Sequence, residues 1–108
     1  MNVLKIDRGN VEIRDARSGA HVRTIFQFGD AVSADFNANQ TLIAITRTNK
    51  TVEIRDAQNG AHIKSIGNGN ATNARWIGDD IAVTTTSGTV ELRDTKSCIS
   101  GGTLIRIM

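Results

Sequence analysis

Cysteine, aromatic residues and any excess of one charge are nearly missing from this chain of 108 residues. Cys98 is the single cysteine, so no internal disulfide can close, and a reducing, cytoplasmic setting is the simpler expectation. The aromatics are Phe26, Phe28, Phe36 and Trp76, none interleaved with basic residues as a single-strand nucleic-acid binder would require. Thirteen Lys and Arg against 11 Asp and Glu leave a net charge of +2 with no basic block, which speaks against a phosphate-tracking surface and a nucleic-acid partner. No apolar run is long enough to span a bilayer. Lys5, Asp7 and Arg8 interrupt any signal-peptide core. The length suits one compact domain, and the lack of a long apolar run speaks against a membrane partner.

What the chain does have is repetition. "VEIRD" stands at 11–15 and again at 52–56, and "VELRD" follows at 90–94. Residues 10–25 and 51–66 are identical at ten of sixteen positions, at an offset of 41 residues. A third copy at 89–98 lies 38 residues further on and matches the second at five of ten. A period near 40 residues points to one supersecondary unit per repeat.

The unit is made of strands. Val11, Ile13 and Asp15 alternate with Glu12 and Arg14, a period of two that puts the apolar pair on one face. "ARSG" and "AQNG" follow with turn chemistry, and Gly19 and Gly60 are free to take positive φ. Ile43, Ala44 and Ile45 are apolar in succession, as in a strand covered on both sides. No segment sustains a helical period. The expected strands are 3–7, 11–15 and 20–26; then 32–37, 41–46, 51–56 and 61–66; then 71–76, 80–86, 89–94 and 103–108. This is an all-β chain of antiparallel meanders. Four strands make a full unit, and the first unit lacks its opening strand.

The period, the four strands and the stretch "ADFNANQTLIAITRTNKTVEIRDAQNG" together resemble the WD40 β-propeller repeat. Phe36 and Trp76 stand where that pattern has the aromatic of its first strand. Thr51, Val52 and Ile54, like Thr89, Val90 and Leu92, match its third strand, and Gly60 matches the glycine of the following turn. The resemblance implies one repeat domain over 1–108, divided into a partial blade at 1–26 and full blades at 31–66 and 71–108. The departures are specific. Arg14, Arg55 and Arg93 replace the signature tryptophan while Asp15, Asp56 and Asp94 keep its aspartate. No Gly-His pair precedes the first strand, and Asn49 and Ser87 stand at the tight-turn aspartate. The hydrogen-bond network implied by the resemblance cannot form in that shape, and other contacts must fix the blades.

Glu12 with Arg14, Glu53 with Arg55 and Glu91 with Arg93 share one face of their strands. In a ring each such face is covered by a neighbouring blade, and an unpaired buried ion costs several kcal/mol. Two readings follow from the fit of Arg to carboxylates. Either the sets pair across strands or between blades, or the arginines form an exposed, repeated anion site.

Closed propellers use about 4–8 blades. An arc shorter than this leaves two sheet faces uncovered, expected to carry Leu42, Ile43, Ile45, Ile81 and Val83. The expectation is therefore a ring completed by oligomerisation, with a homodimer of six blades leading. Met1 at the start fits a complete product, but Met also begins any expressed fragment, and the alternative is a piece cut from a longer propeller. Lys5 and Asp7 suit an unpaired edge, since charge there discourages further strand addition.

No enzyme signature is present, and no catalytic, cofactor-binding or metal-ligating set is assigned. His21 and His62 recur through duplication but have no third-repeat counterpart, as a metal site would need. Cys98 has no base beside it in sequence. "GNGN" at 67–70 opens no helix, so it is no phosphate cradle. Asp79 and Asp80 form a turn pair with at most a weak cation affinity. Two function classes survive: a non-enzymatic protein–protein interaction module or scaffold, which the resemblance implies, and a small-ligand or glycan-binding, lectin-like oligomer. The second would need aromatic platforms, and Trp76 is the single indole.

Overall fold

The computed structural model describes residues 2–66, 69–78, 80–94 and 104–107. Cys98, Asp79, Gly67 and Asn68, all weighed above, lie outside them.

Among the described residues the chain forms eleven strands. They are β1 (Asn2–Asp7), β2 (Asn10–Asp15), β3 (His21–Phe26), β4 (Ala31–Phe36), β5 (Leu42–Arg47), β6 (Val52–Asp56), β7 (His62–Ile66), β8 (Ala71–Ile77), β9 (Asp80–Thr85), β10 (Val90–Asp94) and β11 (Leu104–Ile107). All pairings are antiparallel, in three sheets ordered β1-β2-β3, β4-β5-β6-β7 and β8-β9-β10-β11. The first sheet has three strands and the others four, and β1 is an edge strand. Alternating side chains create these strands, and turns close them at repeated places. Gly19 and Gly60 take φ of 74° and 75° at the end of equivalent turns. The bulges recur too: between Ile13 and Arg14 and between Ile54 and Arg55, and again between Ala31 and Ser33 and between Ala71 and Asn73.

The sheets stack in chain order, meeting through β1, β4 and β8. Each junction has its own core. Between the first and second sheets lie Val11, Ile13, Ile25, Phe26, Ala31, Ile43, Ile45 and Ala57. Between the second and third lie Ala44, Val52, Ile54, Ala71, Ala74, Ile81 and Val83. Ile43, Ala44 and Ile45 are each 0% exposed, because β5 is an interior strand of the middle sheet and both its faces are covered.

This corrects one expectation. Ile43, Ile45, Ile81 and Val83 do not lie on uncovered terminal faces; all four are buried in the two internal junctions, with Leu42 packed against the second. The physical reason is direction. Ile43 and Ile45 point back at the first sheet, and Ile81 and Val83 point back at the second. The outward faces belong to other residues, described below.

Backbone hydrogen bonds also tie sheet to sheet. Ala31 N donates to Gly9 O at 2.9 Å, and Ala71 N donates to Lys50 O at 2.8 Å. Each sheet after the first thus begins on the turn between the first two strands of the β-β-β unit before it. At Gly9, φ is +78° and an added Cβ would sit 2.1 Å from Gly29 O. Gly19 has φ of +74° but open space around it. Gly19→Ala should therefore lower stability by only about 1–2 kcal/mol. Gly9→Ala must also displace the neighbouring backbone and should cost clearly more, at least about 3 kcal/mol. Urea midpoints of the two variants check this ranking, which equal losses would reverse.

Candidate functional site

The first two Glu-Arg sets share one geometry, the third is looser, with the buried Arg93 Nε unpartnered among the described residues, and the three environments differ. Arg14 donates from Nε (3.1 Å) and Nη2 (2.9 Å) to Glu12 Oε1. Arg55 donates from Nε to Glu53 Oε1 at 3.0 Å, and Arg93 Nη2 to Glu91 Oε1 at 3.4 Å. Within each set the pairing runs along the strand, between residues i and i+2, and Glu53 in addition pairs across strands with Arg47, one of the pairings that the sequence reading expects. Two side chains two residues apart on a strand share a face, so each arginine has its carboxylate already beside it. The remaining arginine arm closes the adjoining turn: Arg14 Nη1 donates to Gly19 O at 2.8 Å, and Arg55 Nη1 to Gly60 O at 2.9 Å. The aspartate that follows caps the same turn from inside. Asp15 Oδ1 accepts from the backbone N–H groups of Arg17 and Ser18, and Asp56 Oδ1 from those of Gln58 and Asn59.

The register shows where each set points. Arg55 lies opposite Ile43 and Glu53 opposite Ile45, so this set faces the first sheet. Arg93 lies opposite Ile81 and Glu91 opposite Val83, so this one faces the second. Arg14 lies opposite Val3 and Glu12 opposite Lys5. Val11 and Ile13 already face the second sheet, so Glu12 and Arg14 are on the outward face of the first. Two of the repeated arginines are therefore junction residues, and one is on an open end. No common exposed anion site brings the three together.

At the first junction the set is elaborated into a four-charge cluster. Arg47 donates to Asp30 through Nε (3.0 and 3.1 Å) and Nη2 (2.8 Å), and to Glu53 Oε2 through Nη1 (2.8 Å). Its guanidinium carbon lies 5.4 Å from the ring centre of Phe26 and 5.3 Å from that of Phe28, and Arg55 lies 5.5 and 5.7 Å from the same rings. The two phenyl rings meet edge to face at 5.1 Å. Hydrogen bonds to Asp30 raise the Arg47 pKa, so its charge is fixed at every working pH. Two cations, two carboxylates and two rings balance one another. Beside them Arg23 Nη1 reaches across the junction to Ala57 O (2.9 Å) and Gln58 O (2.6 Å).

The second junction uses different groups at the same register. Ala31 pairs with Arg47, whereas Ala71 pairs with Thr85, whose hydroxyl meets those of Ser87 and Thr89 at 2.9 and 2.8 Å. Ser33 Oγ donates to Asn73 Oδ1 at 2.9 Å, Trp76 N to Asp35 Oδ2 at 2.9 Å, and Trp76 Nε1 to Asp35 O at 3.2 Å. The half-buried indole is engaged in that junction. Arg47, Asp30, Arg23 and Asp35 were not singled out by sequence because they lie outside the repeated pentapeptide, and Arg47 and Asp30 have no charged counterpart one repeat later.

The histidines are exposed. His21 Nε2 meets Thr24 Oγ1 at 2.9 Å and His62 Nε2 meets Ser65 Oγ at 2.8 Å. Among the described residues no group of three or more His, Cys, Asp or Glu side chains is placed to hold a metal ion. Likewise no helix among them is long and apolar enough to cross a membrane.

No family model and no curated protein matches the sequence. Solved structures do match in shape. BamB from Moraxella catarrhalis superposes with a TM-score of 0.74 at 19% identity, over 98% of this chain and 32% of that one. The β-propeller domain of Cps50 (Swd1) from Myceliophteria thermophila gives 0.67 at 15% identity, over 98% and 32%. The WD40 repeats of RRP9 give 0.77 at 9% identity, over 99% and 35%. The three sheets are structurally similar to consecutive propeller blades, and the chain spans about a third of each propeller it matches.

Two outcomes follow from the cluster and the turn caps. Arg47→Met removes the charge but keeps an apolar stem over the phenyl rings, leaving Asp30 without its cation. It should destabilise by about 1–2 kcal/mol, against under 1 kcal/mol for the more exposed Arg14→Met. Denaturant titration of both checks the order. The Asp15 carboxyl is held below the usual carboxylate range by the Ser18 and Arg17 amides. A depressed folded pKa stabilises above the unfolded value and is lost as pH falls through the folded one. Carboxyl NMR should therefore show Asp15 titrating at lower pH in the folded chain than in its urea-unfolded state, and Asp15→Ala should flatten the acid limb of stability.

Proposed function

We propose that this chain is a non-enzymatic protein-interaction module, an arc of three propeller-like blades completed into a ring by another copy of itself. The observation that carries the reading is the middle sheet: it is stable with both faces covered, and the outward face of the third sheet repeats its chemistry position by position. Ala44, Thr46, Val52 and Ile54 in the middle sheet are each no more than 1% exposed. By register they correspond to Ala82, Thr84, Val90 and Leu92 of the third. A homodimer of six blades fits the known range of closed rings, whereas nine blades exceed it.

A rigid ring of this kind presents its turns, not a cleft, and suits binding of another protein. The exposed apolar side chains Val32 (54%) and Ile77 (49%) supply contact surface outside the junctions, and Phe28 (65%) adds to it at the rim of the first. The single Cys98 fits a cytoplasmic setting. Light scattering on the purified chain tests the ring: the expected mass is twice 11.6 kDa, and a folded particle of one chain's mass overturns it. A glycan array tests the rest. Silence is expected, and selective binding of one sugar would replace the protein module with a lectin.

A further inference from the structure

Building on that ring, we propose that the copies join head to tail by repeating the internal junction. The outward face of the third sheet (Ala82, Thr84, Val90, Leu92) docks on the outward face of the first sheet (Val3, Lys5, Glu12, Arg14) of a second copy. The argument is continuity with two junctions that already exist inside the chain. In both, the face presented forward carries an apolar residue pair from the third strand of the unit. The face presented backward carries that strand's Glu-Arg set beside an apolar pair from the second strand.

The forward face of the first sheet has Val11 (0% exposed) and Ile13 (2%), and that of the second has Val52 (0%) and Ile54 (1%). The third offers Val90 and Leu92 at the same register, both only partly buried. The backward faces of the second and third sheets have Ile43 with Ile45 and Ile81 with Val83, beside Glu53-Arg55 and Glu91-Arg93. The first sheet has Val3 and Lys5 beside Glu12-Arg14, with Val3 46% exposed. The outward faces of the first and third sheets thus each carry one half of the junction used twice internally, and the halves are complementary rather than identical. A contact of that type is heterologous, and it closes only if the rotation per blade completes a circle.

Lys5 is one departure and Asp7, at the place of Arg47, is another; the first internal junction shows how charges on such a face are paired. There Glu53 is held by two cations, Arg47 and Arg55, at 2.8 and 2.9 Å. Lys5 opposite Glu12, with Arg14 two residues along, gives the docking face two cations and one carboxylate, without the second carboxylate that Asp30 supplies at the internal junction. A Lys in place of Ile45 or Val83 also weakens the joint relative to the internal ones, since it replaces apolar area with a hydrated ammonium.

The test is complementation. Val3→Arg spoils only the receiving face and Leu92→Arg only the inserting face. Each alone should stay folded by circular dichroism and associate much more weakly than the wild-type chain. Mixed one to one, they retain a single intact junction, so across a concentration series they should form a two-chain particle more readily than either variant alone. Lys5→Ile supplies a gain that misfolding cannot mimic: a tighter particle of wild-type mass, by about tenfold or more in dissociation constant. A mixture no better than its components, or a Lys5→Ile chain no tighter than wild type, overturns head-to-tail docking. If the wild-type chain itself remains single, the ring of the preceding section falls as well. Wild-type assembly with failed complementation overturns this inference alone.

Discussion

Everything in this structure depends on a sheet that has no free face. In a typical antiparallel sheet one side is apolar and the other meets water, so the element is finished by one partner. Here the interior strand of the middle sheet is apolar in three successive positions, Ile43, Ala44 and Ile45, and all three are fully buried. Burying a side chain the size of Ile or Val contributes about 1.5–3 kcal/mol, and Ile43 and Ile45 on one face and Val52 and Ile54 on the other are all buried, so neither face can be left wet without losing much of a small domain's margin. The consequence is stacking: each sheet needs one behind it and one ahead. The backbone enforces the same order, because Ala31 and Ala71 each start a new sheet by donating to the turn of the sheet before.

Charged residues inside the junctions appear to conflict with this, and the geometry resolves it. A buried ion pair costs less the more of its hydrogen-bonding capacity is used, and Arg93, whose buried Nε has no partner among the described residues, uses less of it than Arg55 does. Arg55 is met by a carboxylate two residues away, a turn carbonyl five residues away and two phenyl rings across the junction. The arginine therefore does two things at once. Its stem fills volume, while its head ties the third strand to the turn after it. Glu12, Glu53 and Glu91 accompany it because only position i−2 shares its face.

The repeat, the strand order and the missing opening strand were legible in the letters. Their signals are local: a period of two within strands, glycine at the turns, and a duplicated pentapeptide. Strand ends agree with the sequence reading to within one residue. What escaped was direction. The sequence says that Ile43 and Ile45 share a face, but not whether that face looks backward or forward along the stack. For that reason Ile43, Ile45, Ile81 and Val83 were expected on open ends and instead fill the junctions. The Arg47 cluster escaped for a different reason. Asp30, Arg47 and Glu53 meet through a strand pairing and a neighbouring loop, with no fixed spacing to recognise, and Thr85 replaces Arg47 one repeat later.

The first sheet shows how the chain protects an edge while leaving a face open. Gln40 reaches over from the second sheet, with Nε2 donating to Asn2 O at 2.8 Å and Oε1 accepting from Asn2 N at 3.3 Å. A side-chain amide thereby stands in for a strand partner on the side of β1 away from β2. Lys5 and Asp7 on the same strand add charge that disfavours pairing with a stray strand. Ile6 remains 37% exposed although Val11 opposite it is fully buried, which is the mark of the absent fourth strand. The edge is thus guarded against indiscriminate strand addition. The face beside it, carrying Val3, Lys5, Glu12 and Arg14, keeps the residue pattern of a junction. Edges pair through backbone and accept almost any sequence, whereas faces pair through side chains and discriminate. A chain that guards the first and leaves the second open restricts its association to partners of matching shape and charge.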